Sequence, residues 1–562
     1  MRILPTLLFT LSIALAQAQP FNWQWSLRDT ATLSAPDVGG MATDALGNTY
    51  ITGQFYGTAS FGNLPPVTSL GQGDVYVVKF DASGEALWVV QGGGSSFDQP
   101  MDLAIDTDGH VYITGYFQSP TVTFGSSTLT LVGGLDIFVA RVEASDGTFT
   151  WAKRFGGTGT SSQTEFGRAI ACDSDGNVYV SGHFKNTLAI DGLATLESCS
   201  QYFNSFLFKL DPDGNGLWSR RPDCGQHWSY SASEGQAITV GKDNMLYVGL
   251  RARGDTIFCE TDTLVNAQVS GQTYDGVVVK YDLDGAYQWS RAIGGYGYDD
   301  VKDLQADADG NLYVAMHREG EYYLGIPNIE VAGNLGTYRS VILKYTADGQ
   351  ILWGTRMGNS TYDHDIGSLK LESDDRLLVG GWHQGNFEIG GVTPNPGITG
   401  TYGMFLARFD GESAMEELYA SRYTYPRRIQ GIGLDEGGNI YAAGSFSDSL
   451  AFPGLAAMGL LNASSSALFL ARSGDLNTGV RAADRSNLDV KAYPSPTTGR
   501  FTIANKEAFS SVRVSTMLGA VVHEEAFLPR TTMDLSLSTA GMYTFTLRDG
   551  AGGQWVGRVL VE

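Results

Sequence analysis

Cysteine is scarce in this chain: four in 562 residues, none in a CxxC pair. The signal for a zinc ribbon or finger, which needs thiolates at close spacing, is therefore weak. The seven histidines form no HExxH, and neither GxSxG nor a phosphate-binding glycine loop occurs. The signatures of zinc proteases, α/β-hydrolases and P-loop NTPases are thus missing. Bases are in deficit, 37 Lys and Arg against 60 Asp and Glu, for a formal charge of −23. No nucleic-acid partner is expected, because phosphate binding needs a basic face. An acidic surface also repels anionic membranes. After residue 20 no apolar run is long enough to cross a bilayer, so no transmembrane segment is expected.

Glycine (72 residues) and aromatics (11%) are plentiful instead. That mixture suits short strands joined by tight turns. The first residues, MRILPTLLFTLSIALAQAQP, have a basic Arg2, an apolar stretch from Leu4 to Leu15 and small residues at Ala16 and Ala18. They read as a secretory signal peptide, 1–18, cut after Ala18 or Ala16.

The rest of the chain is too long for one ordinary compact domain unless it is a repeat array. "DSDGNVYVSGHF" at Asp173 returns at Asp44, Asp106 and Asp307, with weaker copies at Gly241, Glu372 and Asp435. The anchors Tyr50, Tyr112, Tyr179, Tyr247, Tyr313, Leu378 and Tyr441 are spaced by 62 to 68 residues. A second motif of the type "DVYVVKFDASGEALW" lies between them, ending at Trp88, Trp151, Trp218, Trp289, Trp353 and Tyr419. Each period predicts four short antiparallel strands, called a to d in chain order.

The two aspartates and glycine of "DSDG" raise the question of calcium. A calcium loop needs further oxygen ligands and a distant bidentate Glu. Here the segment runs straight into apolar strand residues, so a structural turn is the expectation.

The seventh period ends at "LFLARSG" without its Trp strand. "NWQWSLRD", residues 22–29, supplies one at the other end of the chain, with Trp25 set before Tyr50 much as Trp289 is before Tyr313. The expectation is an all-β protein: a seven-bladed β-propeller over residues 21–472, closed by its N-terminal strand, which removes an open edge. The recurring GN-Y-[TS]-G-F and GG-D-F-K-D-G-W patterns resemble the seven-bladed β-propeller (SBBP) repeat of bacterial exported proteins. That resemblance implies fold and little chemistry. The D-x-x-G-x-x-x-W turn also resembles the tryptophan motif of pyrroloquinoline quinone dehydrogenases. Those have eight blades and an adjacent cysteine pair, both missing here, and no cofactor is expected.

Residues 473–487 are polar and aperiodic, a linker. Residues 488–562 alternate as short strands and predict a small Ig-like β-sandwich. This tail resembles the C-terminal sorting domain of the type IX secretion system of Bacteroidetes, through Tyr493, Pro494, Pro496, Gly499, Gly519, Gly541, Tyr543 and the terminal GRVLVE. Ser495 stands where that family usually has Asn. The resemblance implies translocon and sortase as partners of the tail, and delivery to the cell surface or the medium.

Ligand-binding candidates fall on the face shared by the b–c and d–a connections, here called the top. The b–c segments are long, about 20 residues, and loops on a rigid scaffold are where binding arises. One set follows strand b: Gln54, Tyr116, His183, Arg251, His317, Trp382 and Ser445. It reads as a ligand surface or as a mixed solvated rim. A second precedes strand a: Asp37, Asp98, Glu165, Glu234, Asp299, Asp300, Asp363 and Asp365. It reads as an acidic collar at the channel mouth, or as carboxylates bonding backbone amides between blades. No metal ligand and no catalytic residue is singled out. Cys224 is expected to pair with Cys199, with Cys259 as the competing partner and Cys172 a buried free thiol. The functional expectation is a monomeric exported scaffold that binds a glycan or protein. The alternative is a hydrolase or lyase using top-face acids.

Overall fold

A computed structural model describes residues 21–28, residues 38–474 apart from several short stretches (the longest 320–337), and tail residues 491–493, 500–516, 521–537, 541–548 and 554–561. The signal segment, most of the linker, Asp37, Cys224, Pro494, Pro496, Gly499 and Gly519 lie outside the described residues.

Seven antiparallel sheets form a propeller. The third blade shows the plan: strand a Phe166–Cys172, b Val178–Phe184, c Asn204–Leu210 and d Gly216–Arg220. The seventh combines both ends of the chain. Arg427–Leu434, Ile440–Ser447 and Ser466–Ser473 are followed, as outermost strand, by Trp23–Arg28. Trp25 lies opposite Arg472 and Leu27 opposite Leu470. The ring is thus closed by the N-terminal strand. Its core is the seams: seven apolar clusters each mix residues of two adjacent blades, the seventh joining Tyr441 and Leu470 to Ile51 and Tyr76.

The Asp-Gly segments are architecture. Asp173 Oδ1 accepts the amides of Asp175 (3.0 Å) and Asn177 (2.9 Å), and Oδ2 accepts Asn177 Nδ2 and the Tyr179 hydroxyl, both at 2.9 Å. Gly176 has φ 76°, the left-handed region the turn requires. Asp44, Asp106 and Asp435 bond the tyrosine of their own blade likewise.

The Lys and Trp of the second motif couple neighbouring blades. Lys209 Nζ lies over the Tyr179 ring (4.9 Å) and donates to Leu283 O of the next blade at 3.1 Å. Trp218 Nε1 donates to the same carbonyl at 3.2 Å. Lys79 and Trp88 converge on Ala144 O, Lys280 and Trp289 on Ala347 O, and Lys344 and Trp353 on Gly411 O. Trp25 carries the coupling across the closure to Ala82 O. Each such bond is worth about 1 kcal/mol net, so the repeat stores its stability at the seams.

The long b–c segments differ from expectation. In the second blade this segment is a hairpin, Thr121–Phe124 and Ser127–Thr130, whose first strand pairs with Gly92–Gly94 of the preceding blade. Phe124 is fully buried against Phe138 and Phe149. Ala189 bridges Gly156, and Ile389 bridges Met357, in the same way. Much of the extra length per blade is therefore a strap on the blade before it, because its alternate apolar residues have a seam to fill.

The tail forms a separate compact unit, 476–562. Lys491–Tyr493, Arg500–Thr516, Val521–Ser536, Gly541–Arg548 and Gln554–Val561 make one five-stranded hydrogen-bonded network. Tyr493, Gly541 and Tyr543 lie in its strands.

Candidate functional site

The acidic set divides in two. Asp98 is fully buried, and its carboxylate accepts the amides of Gly94 (2.8 Å), Gln118 (3.2 Å) and Ser119 (3.1 Å) and the Ser119 hydroxyl. It caps backbone between blades and is not part of a collar. Glu165 is also fully buried, and burial together with nearby Asp136 pushes its pKa up to about 8. Asp299 is equally enclosed, while Asp363 is half-buried and its backbone carbonyl receives Gln384 N. None of these four meets the solvent as an acidic rim would.

The strand-b set also divides. Gln54 and His183 are interior. Gln54 donates to Asp98 O and accepts from the Tyr56 hydroxyl. His183 stacks between Phe166 and Phe203, and burial, then Arg168 and Arg251, hold its pKa well down, so it is neutral. Tyr116 is half-buried, bonded to Gln99 Oε1 at 2.7 Å and set against Phe166. Trp382 lies beside Tyr402, and Ser445 bonds Gln430.

Strand a carries the decisive local feature. Its pairing with strand b slips by one residue at the same place in successive blades, which leaves Met101, Arg168, Gln236, Lys302, Gly367 and Gln430 as bulge residues. A bulge re-aims the extra side chain out of the ladder. Here several lean toward the next blade: Lys302 reaches Asp365 at 3.4 Å, and Gln430 bonds Val38 O at 3.0 Å.

The remaining acids join these residues in an arc of alternating charge across the fourth to sixth blades. Arg251 pairs with Glu234 (2.8 Å) and Asp300 (3.4 Å). Lys302 pairs with Asp300 (3.7 Å) and Asp365 (3.4 Å), and Asp365 meets His317 Nδ1 at 3.3 Å. Arg168 stands at the start of the arc without a carboxylate inside ion-pairing distance among the described residues. Its Nε has no hydrogen-bond partner among them, and burial lowers its pKa, helped by Arg251 and opposed by the more distant Glu234 and Asp300. Beside it, Arg251 and Arg253 both lie over the Tyr274 ring, at 5.0 and 5.1 Å. Arg253 also lies over Tyr202 (5.2 Å), and Tyr274 meets the exposed Tyr298 at 5.9 Å.

Arg168, Lys302, Arg253, Tyr202 and Tyr274 are thus members of this cluster that sequence reasoning missed. Lower in the ring, Asp102 accepts Ile170 N and Asp303 accepts Leu369 N of the following blade. Burial raises them to about 7 and about 6. Among the described residues no group of His, Cys, Asp or Glu is arranged to hold a metal ion. Cys199 is in a disulfide, while the half-buried Cys172 and the buried Cys259 are free thiols.

Residues 491–562 match the secretion system C-terminal sorting domain family, and residues 150–183 match the beta-propeller repeat family (SBBP). The chain is therefore a seven-bladed propeller of SBBP repeats carrying a type IX secretion sorting domain, which marks it for export across the outer membrane to the cell surface or the medium. It is similar to the regulatory protein FlaEY of Caulobacter vibrioides, 25% identical over 60% of this chain and 36% of that protein. It is also similar to an uncharacterised WD repeat-containing protein of Acanthamoeba polyphaga mimivirus, 26% identical over 37% of this chain and 17% of that one. The chain thus spans well under half the length of these relatives. Among solved structures, an ulvan lyase is similar at 11% identity and TM-score 0.41, covering 74% of this chain and 93% of that one. The propeller domain of the trilobed protease of Pyrococcus furiosus is similar at 9% identity and TM-score 0.36, covering 73% and 90%.

Proposed function

We propose that the protein is an extracellular binding module whose ligand seat is the top of the ring over the third to fifth blades. The observation that carries this reading is Arg168, a cation with no ion-pair partner among the described residues, at the start of an arc whose own acids are already paired. A paired-acid glycoside hydrolase needs two carboxylates free to exchange protons. Glu234, Asp300 and Asp365 are instead tied to Arg251, Lys302 and His317. In this reading the tail engages the type IX translocon and sortase, and the propeller is the cargo that works outside.

A glycan array probed with the mature chain tests the reading, with each bound glycan also examined for cleavage. Saturable binding that is lost in Arg168→Ala, with no cleavage product, is the expected outcome. Cleavage by the wild type, or binding that Arg168→Ala leaves unchanged, overturns it.

A further inference from the structure

The seat over the third to fifth blades has a chemistry of its own. We infer that it takes an acidic polysaccharide, a chain of sugar rings bearing carboxylate or sulfate groups, an assignment that rests on the seat being a binding site. Two kinds of group meet there. The first is guanidinium. Arg168 has no carboxylate within ion-pairing distance among the described residues, its Nε is without a hydrogen-bond partner, and Arg253 lies over the Tyr274 ring at 5.1 Å beside Arg251. A planar guanidinium matches the fork of a carboxylate or sulfate. Stacking spares it the entropy of being positioned at the moment of binding.

The second is aromatic surface. Tyr298 is 49% exposed beside Tyr274. Further round the same top face Tyr56 (38%) and Phe97 (39%) meet at 6.4 Å, with Tyr116 and Phe166 nearer the seat. Exposed rings with a polar neighbour on one side suit ligands that are apolar on one face and hydroxylated on the other. The paired charges of the Glu234 to His317 arc supply hydrogen-bonding groups for hydroxyls, with Arg251 and Lys302 set among its acids. An acidic peptide fits less well. Arginine clusters also read acidic motifs in peptides, but acidic side chains present no ring with an apolar face for Tyr298 and Tyr274 to lie against.

The test is calorimetry on the mature chain with a galacturonate hexamer, its methyl ester, a dextran sulfate of similar length, and poly-glutamate. The galacturonate or the dextran sulfate binds, and which of them binds tighter tells carboxylate from sulfate. The methyl ester binds at least about tenfold more weakly than the free acid, and Arg168→Gln and Arg253→Gln each weaken the acidic ligand by about tenfold or more, the cost of one charge-assisted bond. Tyr274→Ala weakens it similarly. If its thermal melt shows unfolding, Tyr298→Ala, on an exposed ring, takes its place. Equal binding of the methyl ester, or poly-glutamate binding as tightly as the sugars, overturns the inference. If the array finds a neutral glycan held in an Arg168-dependent way while neither acidic sugar binds, the ligand class is wrong and the binding module stands. If no ligand's binding depends on Arg168, both fall.

Discussion

Removal of the N-terminal strand tests how the ring is held. Deleting residues 21–28 from the mature chain strips the pairing of Trp23–Arg28 with Ser473 to Phe469. It also strips two buried aromatics: Phe21 and Trp23 are each 5% exposed, and Trp23 packs at 4.4 Å on Phe452 and 5.3 Å on Tyr419. Trp23→Ala alone leaves a cavity at the seam of the sixth and seventh blades and costs about 3–5 kcal/mol. Folded domains hold about 5–15 kcal/mol in all, so that one truncation removes a large fraction. The full deletion goes further, because it frees the edge of Ser466–Ser473 for pairing with another chain. Urea unfolding followed by far-UV circular dichroism, with light scattering for size, reads both effects. The midpoint falls for Trp23→Ala, and the deletion chain self-associates. Added peptide FNWQWSLR restores the monomer by refilling the strand. A deletion chain that stays monomeric and unfolds at the wild-type midpoint refutes the seam argument.

Calcium or a chelator leaves the melting temperature unchanged, since the Asp173 carboxylate is already filled by its own turn, whereas Asp173→Ala lowers stability by about 1–3 kcal/mol through orphaned donors, read from the urea midpoint. Glu165 gives a pH signature. Its folded pKa, about 8 against 4.5 for the free group, is raised, so the native state holds a proton the unfolded chain has lost. Stability therefore falls as pH rises from about 4.5 to about 8 and then levels. Glu165→Gln flattens that decline in melts taken between pH 5 and 9, and an unchanged slope counts against the assignment. Removing residues 488–562 leaves a folded propeller in the periplasm, and surface labelling of the truncated protein, if positive, shows that the tail is not the export signal.

The blades were legible because most periods present the same partners: a Tyr over its Asp turn, a Lys or Arg beneath the Tyr, a Trp reaching the next blade's carbonyl. Residues bound to one another in this way cannot drift independently, and their spacing survives as a pattern. The same logic bears on the acidic set, which the sequence left open between a collar and carboxylates bonding backbone amides. Asp98 caps the amides of Gly94, Gln118 and Ser119 between two blades, and Glu165 and Asp299 are buried at the matching place, so recurrence there went with burial. The seat was not legible because it depends on bulges. A bulge adds one residue and resets the in–out alternation, so Arg168 and Lys302 read as ordinary strand positions. Tyr202 and Tyr274 lie just before strand c, where no periodicity applies. The b–c straps were read as loops because their pairing partner belongs to the preceding blade and is far away in sequence.

The bulge on strand a has a consequence for how such a protein diversifies. Elsewhere on that strand the apolar side chains serve a seam, and Ile170 or Leu304 has few acceptable replacements. The bulge residue is excused from the ladder, and the chain shows it: Met101, Arg168, Gln236, Lys302, Gly367 and Gln430 share a place in the blade and almost nothing in chemistry. The ring is in effect a dial with one interchangeable seat per blade, read together from above. Point changes at a few such seats would retune what the face accepts while the seams, and with them the fold, stay as they are.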